Sequence, residues 1–251
     1  MQSRRTNRGA TLKPEDILQS KAAVALLIDH TLLKPEATKL EIHRLCDDAR
    51  ANNFMSVCIN PCWVQTARRR LEGSDVRVCT VIGFPLGAND ARTKLSEANL
   101  ALVQSADELD MVLNIGGLRS GDFHLVHKDI ADIADIAHSR GAILKVILET
   151  CLLTDAEKTT ACQLALQARA DFVKTSTGFS KSGATVADVK LMRQVVGQHM
   201  GVKASGGIRT FEGLREMVLA GATRIGTSAG LSILYEMEQE MPSPASETGA
   251  Y

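Results

Sequence analysis

Asp171-Phe172-Val173-Lys174-Thr175-Ser176-Thr177-Gly178-Phe179 and Val202-Lys203-Ala204-Ser205-Gly206-Gly207-Ile208-Arg209-Thr210 share one pattern. Each is a short apolar strand that carries a lysine and runs straight into glycine-rich sequence. A third glycine run, Gly226-Thr227-Ser228-Ala229-Gly230, follows the last strand-like segment. An open doubly wound sheet often carries its glycines early, after the first strand. Here the densest glycine loops come last, which favours a closed (β/α)8 barrel, where the final loops commonly hold phosphate.

Working outward, strand-like and helix-like segments alternate from about residue 26 onward. The strand candidates are Leu26–Thr31, Ser56–Asn60, Arg77–Gly83, Glu108–Asn114, Ile143–Glu149, Phe172–Thr175, Gly201–Ala204 and Thr223–Gly226. Between them lie amphipathic segments at Arg92–Gln104, Thr154–Ala170, Val186–His199 and Phe211–Ala220. Thr154-Asp155-Ala156-Glu157 is a capping-box pattern. Gly141, Gly201 and Gly221 stand where helices should stop. Eight such units predict a parallel sheet wrapped by helices. The 251 residues match the ~250 that one TIM barrel needs. The predicted organisation is therefore a single α/β barrel domain. Residues 1–12 read as a loose arm, residues 15–25 as a capping helix across the barrel floor, and residues 240–251 as a flexible tail.

Composition narrows the function. The chain is 45% hydrophobic but only 4% aromatic, so its core is built from Val, Ile, Leu and Ala. The 29 basic and 29 acidic residues cancel, which argues against a nucleic-acid or anionic-membrane surface. Arg4, Arg5 and Arg8 form a small basic cluster that reads as a solvated tail. No stretch reaches the ~20 apolar residues of a membrane helix. Ala22–Ile28 is short and lacks the layout of a signal peptide, so a cytoplasmic protein is predicted. The six cysteines form no CxxC pairs and read as free, mostly buried thiols. Cys58 and Cys62 are four apart without a nearby histidine to complete a zinc set. His124 and His127 read as a polar helix face rather than metal ligands. No metal or cofactor is expected.

Lysine is rarely buried, because leaving water destabilises its charge. Two lysines on adjacent strands repel, and repulsion favours the neutral amine of one. A neutral amine attacks a carbonyl to form a Schiff base. Side chains alternate along a strand. If Lys174 points inward, so do Phe172 and Ser176; if Lys203 does, so does Ser205. The same parity groups Glu108, Asp110, Val112 and Asn114, and separately Lys145, Ile147 and Glu149. Asp29 closes the first strand. The predicted interior thus holds Lys145, Lys174, Lys203, Asp110 and Asp29. A buried salt-bridge network, such as Asp110 with Lys145, is the purely structural alternative. Gly178, Gly206, Gly207 and Gly226, with the hydroxyls of Thr227 and Ser228, are the candidate phosphate-binding set, with bare backbone N–H groups near a helix N-terminus.

These residues also carry a resemblance. Asp29–Leu33 (DHTLL), Val81–Gly87 (VIGFPLG), Glu108–Asn114 (ELDMVLN), Lys145–Thr150 (KVILET), DFVKTSTGF and VKASGGIRT resemble the deoxyribose-phosphate aldolase family. The match runs in order from about residue 26 to 235. The resemblance implies a class I, metal-independent aldolase that reversibly cleaves 2-deoxy-D-ribose 5-phosphate to acetaldehyde and D-glyceraldehyde 3-phosphate, in deoxyribonucleotide catabolism. It implies that Lys174 forms the Schiff base. Lys203 would perturb Lys174 and take part in proton traffic, and Asp110 would be the proton donor and acceptor. Lowering a lysine from its usual pKa toward ~7 to 8 would expose a neutral fraction. Small phosphosugars and aldehydes are the implied partners, with a homo-oligomer, dimer or tetramer, plausible on the same ground.

Two positions depart from the family pattern. Ser228 is followed by Ala229 where consecutive serines are common, and Phe179 stands where some relatives carry a polar or basic residue. The family's tail often ends in tyrosine, as this chain does at Tyr251, which predicts that the tail folds over the rim and assists proton transfer. Three other readings stay open: a phosphosugar isomerase, another Schiff-base aldolase, and a non-catalytic phosphosugar-binding barrel.

Overall fold

The computed structural model describes residues 13–240. Eight strands close into one parallel barrel in sequence order. They are β1 (Ile28–Leu32), β2 (Ser56–Ile59), β3 (Arg77–Ile82), β4 (Glu108–Val112), β5 (Ile143–Ile147), β6 (Phe172–Lys174), β7 (Gly201–Ser205) and β8 (Arg224–Thr227). Around them run α1 (Pro14–Ile17), α2 (Lys21–Ala25), α3 (Lys39–Asn52), α4 (Val64–Arg70), α5 (Ala91–Val103), α6 (Ile115–Arg119), α7 (Phe123–Ser139), α8 (Asp155–Gln167), α9 (Val186–Val196), α10 (Phe211–Leu219) and α11 (Gly230–Glu240). This is the predicted (β/α)8 TIM barrel.

Local chemistry sets the element ends. Thr38 with Glu41, and Thr154 with Glu157, form reciprocal capping boxes that satisfy free N–H groups at the starts of α3 and α8. Gly141 and Gly221, at φ 71° and 113°, take the left-handed turn after α7 and α10. Gly201 does not end a helix. It opens β7, and a Cβ there would sit 2.1 Å from Cε1 of Phe172. Gly197, at φ 60°, caps α9 instead.

One strand face supplies the main core. Val57, Val78, Leu109, Val146, Val173 and Val202 join the apolar faces of the helices in one cluster. A second, smaller cluster of Leu33, Cys58, Cys79 and Val81 is extended by Phe84. Lys94 on α5 is wholly buried, bonding Asp129 of α7 at 2.6 Å and the Val112 carbonyl at 3.1 Å. That bridge ties two helices to the end of β4.

Three local expectations change. Residues 15–25 form two short helices, because the Ser20 side chain accepts from Ala23 N–H and starts a new helix. Ion pairing of Lys21 with Glu238 holds α2 against α11. β4 stops at Val112, because Asn114 turns to cap α6 through Gly117 N–H. β5 stops at Ile147, and Glu149 takes a left-handed backbone (φ 55°) that removes it from the Lys145 face. The arm at 1–12 with Arg4, Arg5 and Arg8, and the tail from 241 with Tyr251, lie outside the described residues.

Candidate active site

Parity delivers the charged side chains to one place. Cα of Lys174 pairs with Lys203 across β6 and β7, and Asp110 pairs with Lys145 across β4 and β5. Asp110 is fully buried. Its Oδ2 accepts from Lys174 Nζ at 2.8 Å and from Lys203 Nζ at 2.7 Å. Its Oδ1 accepts from Lys145 Nζ at 2.8 Å and from Cys79 Sγ at 3.2 Å. Asp29 stands behind Lys203, at 2.5 Å from its Nζ, and accepts from Ser56 Oγ and Arg224, both at 2.7 Å. Glu108 contacts Lys145 at 2.5 Å and Arg224 at 3.0 Å, and half-exposed Arg77 reaches it at 3.1 Å.

The buried set therefore holds three carboxylates, Asp29, Glu108 and Asp110, against four cations, Lys145, Lys174, Lys203 and Arg224. It carries one net positive charge when all are ionised. Burial opposes the charge on Asp110, but Lys145, Lys174 and Lys203 outweigh it and hold its carboxyl well below the usual range. Asp29 is lowered in the same way, against its own burial, by Arg224, Lys203 and Lys145. Burial also opposes the charge on Lys203, yet Asp110 and Asp29 raise its pKa above that of a free lysine. Lys145 is raised well above its ordinary value, against burial, with Asp110 as the strongest opposing charge. The salt-bridge network set against catalysis in the sequence is thus present. Lys174 and Lys203 are joined through one carboxylate, that of Asp110.

Only one of the three lysines borders open space. A cavity of about 240 Å³ at the C-terminal ends of the strands is lined by Lys174, with neither Lys145 nor Lys203 in its wall. Gly178, Gly206, Gly207, Gly226, Thr227 and Ser228 all line it, as do Lys34 and Arg209. Gly178, Gly206 and Gly207 have φ of 84°, 88° and 82°, a region that side-chain-bearing residues rarely enter. The Thr227 hydroxyl is not a free donor: it donates to the Ile208 carbonyl at 2.7 Å and accepts from Ala229 N–H at 2.9 Å. Ser228 is exposed, and its neighbour Ala229 leads into the first residue of α11.

An eight-stranded barrel with a buried lysine–carboxylate cluster under glycine loops fits a known group. The family model described as DeoC/LacD family aldolase matches residues 23–237. The chain belongs to this aldolase family. It is 55% identical over 230 residues to the deoxyribose-phosphate aldolase of Caldanaerobacter subterraneus subsp. tengcongensis, covering 91% of this chain and 98% of that one. Identity to the enzyme of the same name from a Thermoanaerobacter species is 59% over 214 residues, or 85% and 96% of the two chains. Among solved structures, the deoxyribose phosphate aldolase of Aeropyrum pernix, described as a unique tetramer, superposes with a TM-score of 0.83 at 35% identity, covering 90% of this chain and 99% of that one.

Several members of this aldolase site were not singled out in the sequence. Arg224 is the main one. An arginine two residues before Gly226 in a barrel strand was the available signal, since Gly226 leaves room for Lys203: a Cβ there would lie 3.0 Å from Lys203 Cε. Ser56 and Cys79 carried no signal beyond strand parity. Cys58, Cys79 and Asp110 are the one group among the described residues with metal-ligand atoms all within 4.8 Å. Asp110 is already committed to three lysines, whose charges oppose a cation there. His124 is exposed and His127 half-buried on α7, without a ligand cluster.

Proposed function

We propose that this chain is a class I deoxyribose-phosphate aldolase, with Lys174 as the Schiff-base nucleophile. The observation that carries the assignment is the cavity: Lys174 borders it while Lys145 and Lys203 lie behind. Lys174 contacts one carboxylate, Asp110. Lys203 contacts two, and Lys145 three when Asp29 at 3.8 Å is included. One proton lost from the buried set leaves it neutral, so the free amine at the cavity suits the charge count.

The neutral amine of Lys174 adds to the aldehyde carbon of open-chain 2-deoxyribose 5-phosphate, giving a carbinolamine. Loss of water gives an iminium. Lys203, held as an ammonium, is the proton source beside it, and Asp110 bonds both nitrogens and aligns the transfer. The C2–C3 bond then breaks: its electron pair moves into the iminium to form an enamine, and the C3 hydroxyl proton passes through a water to the Asp110 carboxylate as glyceraldehyde 3-phosphate leaves. Protonation of the enamine carbon and hydrolysis release acetaldehyde and restore Lys174. Asp29 holds Lys203 and Arg224 and does not border the cavity, so its proposed role is to support Lys203. Gly178, Gly206, Gly207, Gly226 and Ser228 would receive the phosphate, and that remote binding holds the reacting carbon in place.

The proposal extends to small phosphosugar and aldehyde partners and to a homo-oligomer, dimer or tetramer, on the precedent of the tetrameric relative. A cytoplasmic setting fits the six free cysteines, and no described helix is long and apolar enough to cross a membrane. Tyr251 as a proton-transfer aid remains a proposal from the sequence. Borohydride trapping with acetaldehyde, followed by peptide mass spectrometry, tests the whole assignment. An adduct on Lys174 is expected; a folded protein without one refutes the Schiff base and returns the isomerase reading.

A further inference from the structure

We propose that Glu149 is a positioning residue for the loop after β6, and thereby sets how tightly the distal part of the substrate is held. The inference rests on the aldolase reading above. Glu149 leaves β5 in the left-handed region, φ 55°, where a non-glycine residue is strained. Its side chain is nonetheless buried, with the residue 2% exposed. Burying a carboxylate needs compensation, and its contacts here are not cations. Both carboxylate oxygens accept from Thr177 N–H, at 3.3 and 3.4 Å, and the Thr177 hydroxyl donates to Oε2. Cys151 Sγ lies 4.0 Å from Oε1.

The grip continues into the cavity wall. Thr177 Oγ1 accepts from Phe179 N–H at 3.0 Å, so Gly178 is held between two fixed residues. The Phe179 ring meets Phe84, from the loop after β3, edge to face with centroids 5.2 Å apart. Thr177, Gly178 and Phe179 line the cavity with Lys174, whereas Glu149 does not. Lys174 bonds Asp110 while the Glu149 carboxylate bonds Thr177, so the Glu149 side chain acts through the loop. A carboxylate is the suitable group, because it receives both Thr177 donors as charge-assisted bonds on two oxygens; an amide offers one uncharged acceptor oxygen and puts an NH2 where the second oxygen stood, beside Cys151 or the Thr177 donors.

The test is Glu149→Gln, with Thr177→Val as a second variant that removes the hydroxyl donor. The expected result is a KM for 2-deoxyribose 5-phosphate raised about tenfold or more, with kcat within about threefold of the unaltered enzyme. Thr177→Ser, which keeps the hydroxyl, should restore KM. Acetaldehyde trapping on Lys174 should proceed to the same extent in each, because that small donor does not use the rim. A KM unchanged in folded variants, or a fall in kcat at constant KM, overturns the positioning role. Trapping on the unaltered protein tests the aldolase reading separately, so the two failures are distinguishable.

Discussion

Lys174 and Lys203 donate to the same oxygen atom, Oδ2 of Asp110, at 2.8 and 2.7 Å. The two lysines are thus neither independent nor simply repulsive; one carboxylate sets the position of both. The role of Asp110 follows from that sharing. Asp110→Asn keeps the shape and removes the negative charge, leaving Lys145, Lys174 and Lys203 facing a neutral amide. We expect kcat to fall by ~10²–10⁴, the usual range for a lost acid–base group. Removing one partner from a buried ion network also costs ~3–5 kcal/mol of stability. Steady-state kinetics and a denaturant melt check the two effects. An active Asp110→Asn enzyme would remove Asp110 from the proton path.

The pH dependence of stability follows from the same cluster. Asp110, Asp29 and Glu108 are all lowered from their ordinary values near 3.8 and 4.5, against the burial that opposes their charge. A lowered carboxylate contributes stability fully above its unfolded pKa and loses it as pH falls toward its folded one. Lys145 and Lys203 are raised above 10.5, so their contribution is present below that value and lost as pH climbs through the higher folded pKa. The cluster's contribution should be flat between about pH 5 and pH 10 and fall steeply below about pH 4. Buried His30, its pKa lowered from 6.5, takes off further stability as pH falls below that value, and the Cys46 and Cys162 thiols, pushed up to about 12 by burial, take it off above about pH 9. Thermal melts across that range check it. Glu108→Gln should flatten the acid limb at the expense of overall stability; an acid limb that is unchanged would place the titration elsewhere.

Much of this site was legible in residues 171–179 and 201–210, because period-two alternation fixes which side chains share an interior. Lys145, Lys174, Lys203 and Asp110 follow from it; Asp29, expected to close the first strand, stands second in β1. The reading failed where alternation ends. Asn114 and Glu149 were placed on strand faces, but the first caps α6 and the second adopts a left-handed backbone, choices made by contacts with Gly117 and Thr177. Pairing was also invisible. Nothing in the sequence says that Arg224 lies across the barrel from Glu108, 116 positions away, or that Lys203 shares its charge between two carboxylates. The relative depth of the lysines, which separates their proposed roles, needs the closed barrel.

The phosphate end of the site gives a prediction of its own. Thr227 ties the loop after β8 to the loop after β7, through the Ile208 carbonyl and Ala229 N–H. Thr227→Val removes both bonds and loosens the two glycine loops together. KM for 2-deoxyribose 5-phosphate should rise about tenfold, the loss of ~1.4 kcal/mol of binding. Unphosphorylated 2-deoxyribose, which makes no use of that corner, should be turned over as before. Parallel kinetics on the two sugars decide it: an equal loss on both would mean that Thr227 supports the loops in general and not the proposed phosphate corner in particular.

Packing beneath the site is equally constrained. Gly201 faces Phe172 so closely that a Cβ would lie 2.1 Å from the ring, and the Arg224 guanidinium stacks 5.3 Å above that ring. The ring cannot shift freely, because Arg224 is itself held by Asp29 and Glu108. Gly201→Ala should therefore destabilise by ~1–3 kcal/mol through overpacking. It should also lower activity, since the strain passes through Arg224 to the carboxylate that holds Lys203. Phe172→Leu makes room at some cost in lost packing. In a double-mutant cycle the pair should be more stable than the sum of the single losses, with a coupling of at least ~0.5 kcal/mol. Strict additivity would mean that the ring and the glycine do not constrain one another, and that the Arg224 anchor is insulated from the barrel floor.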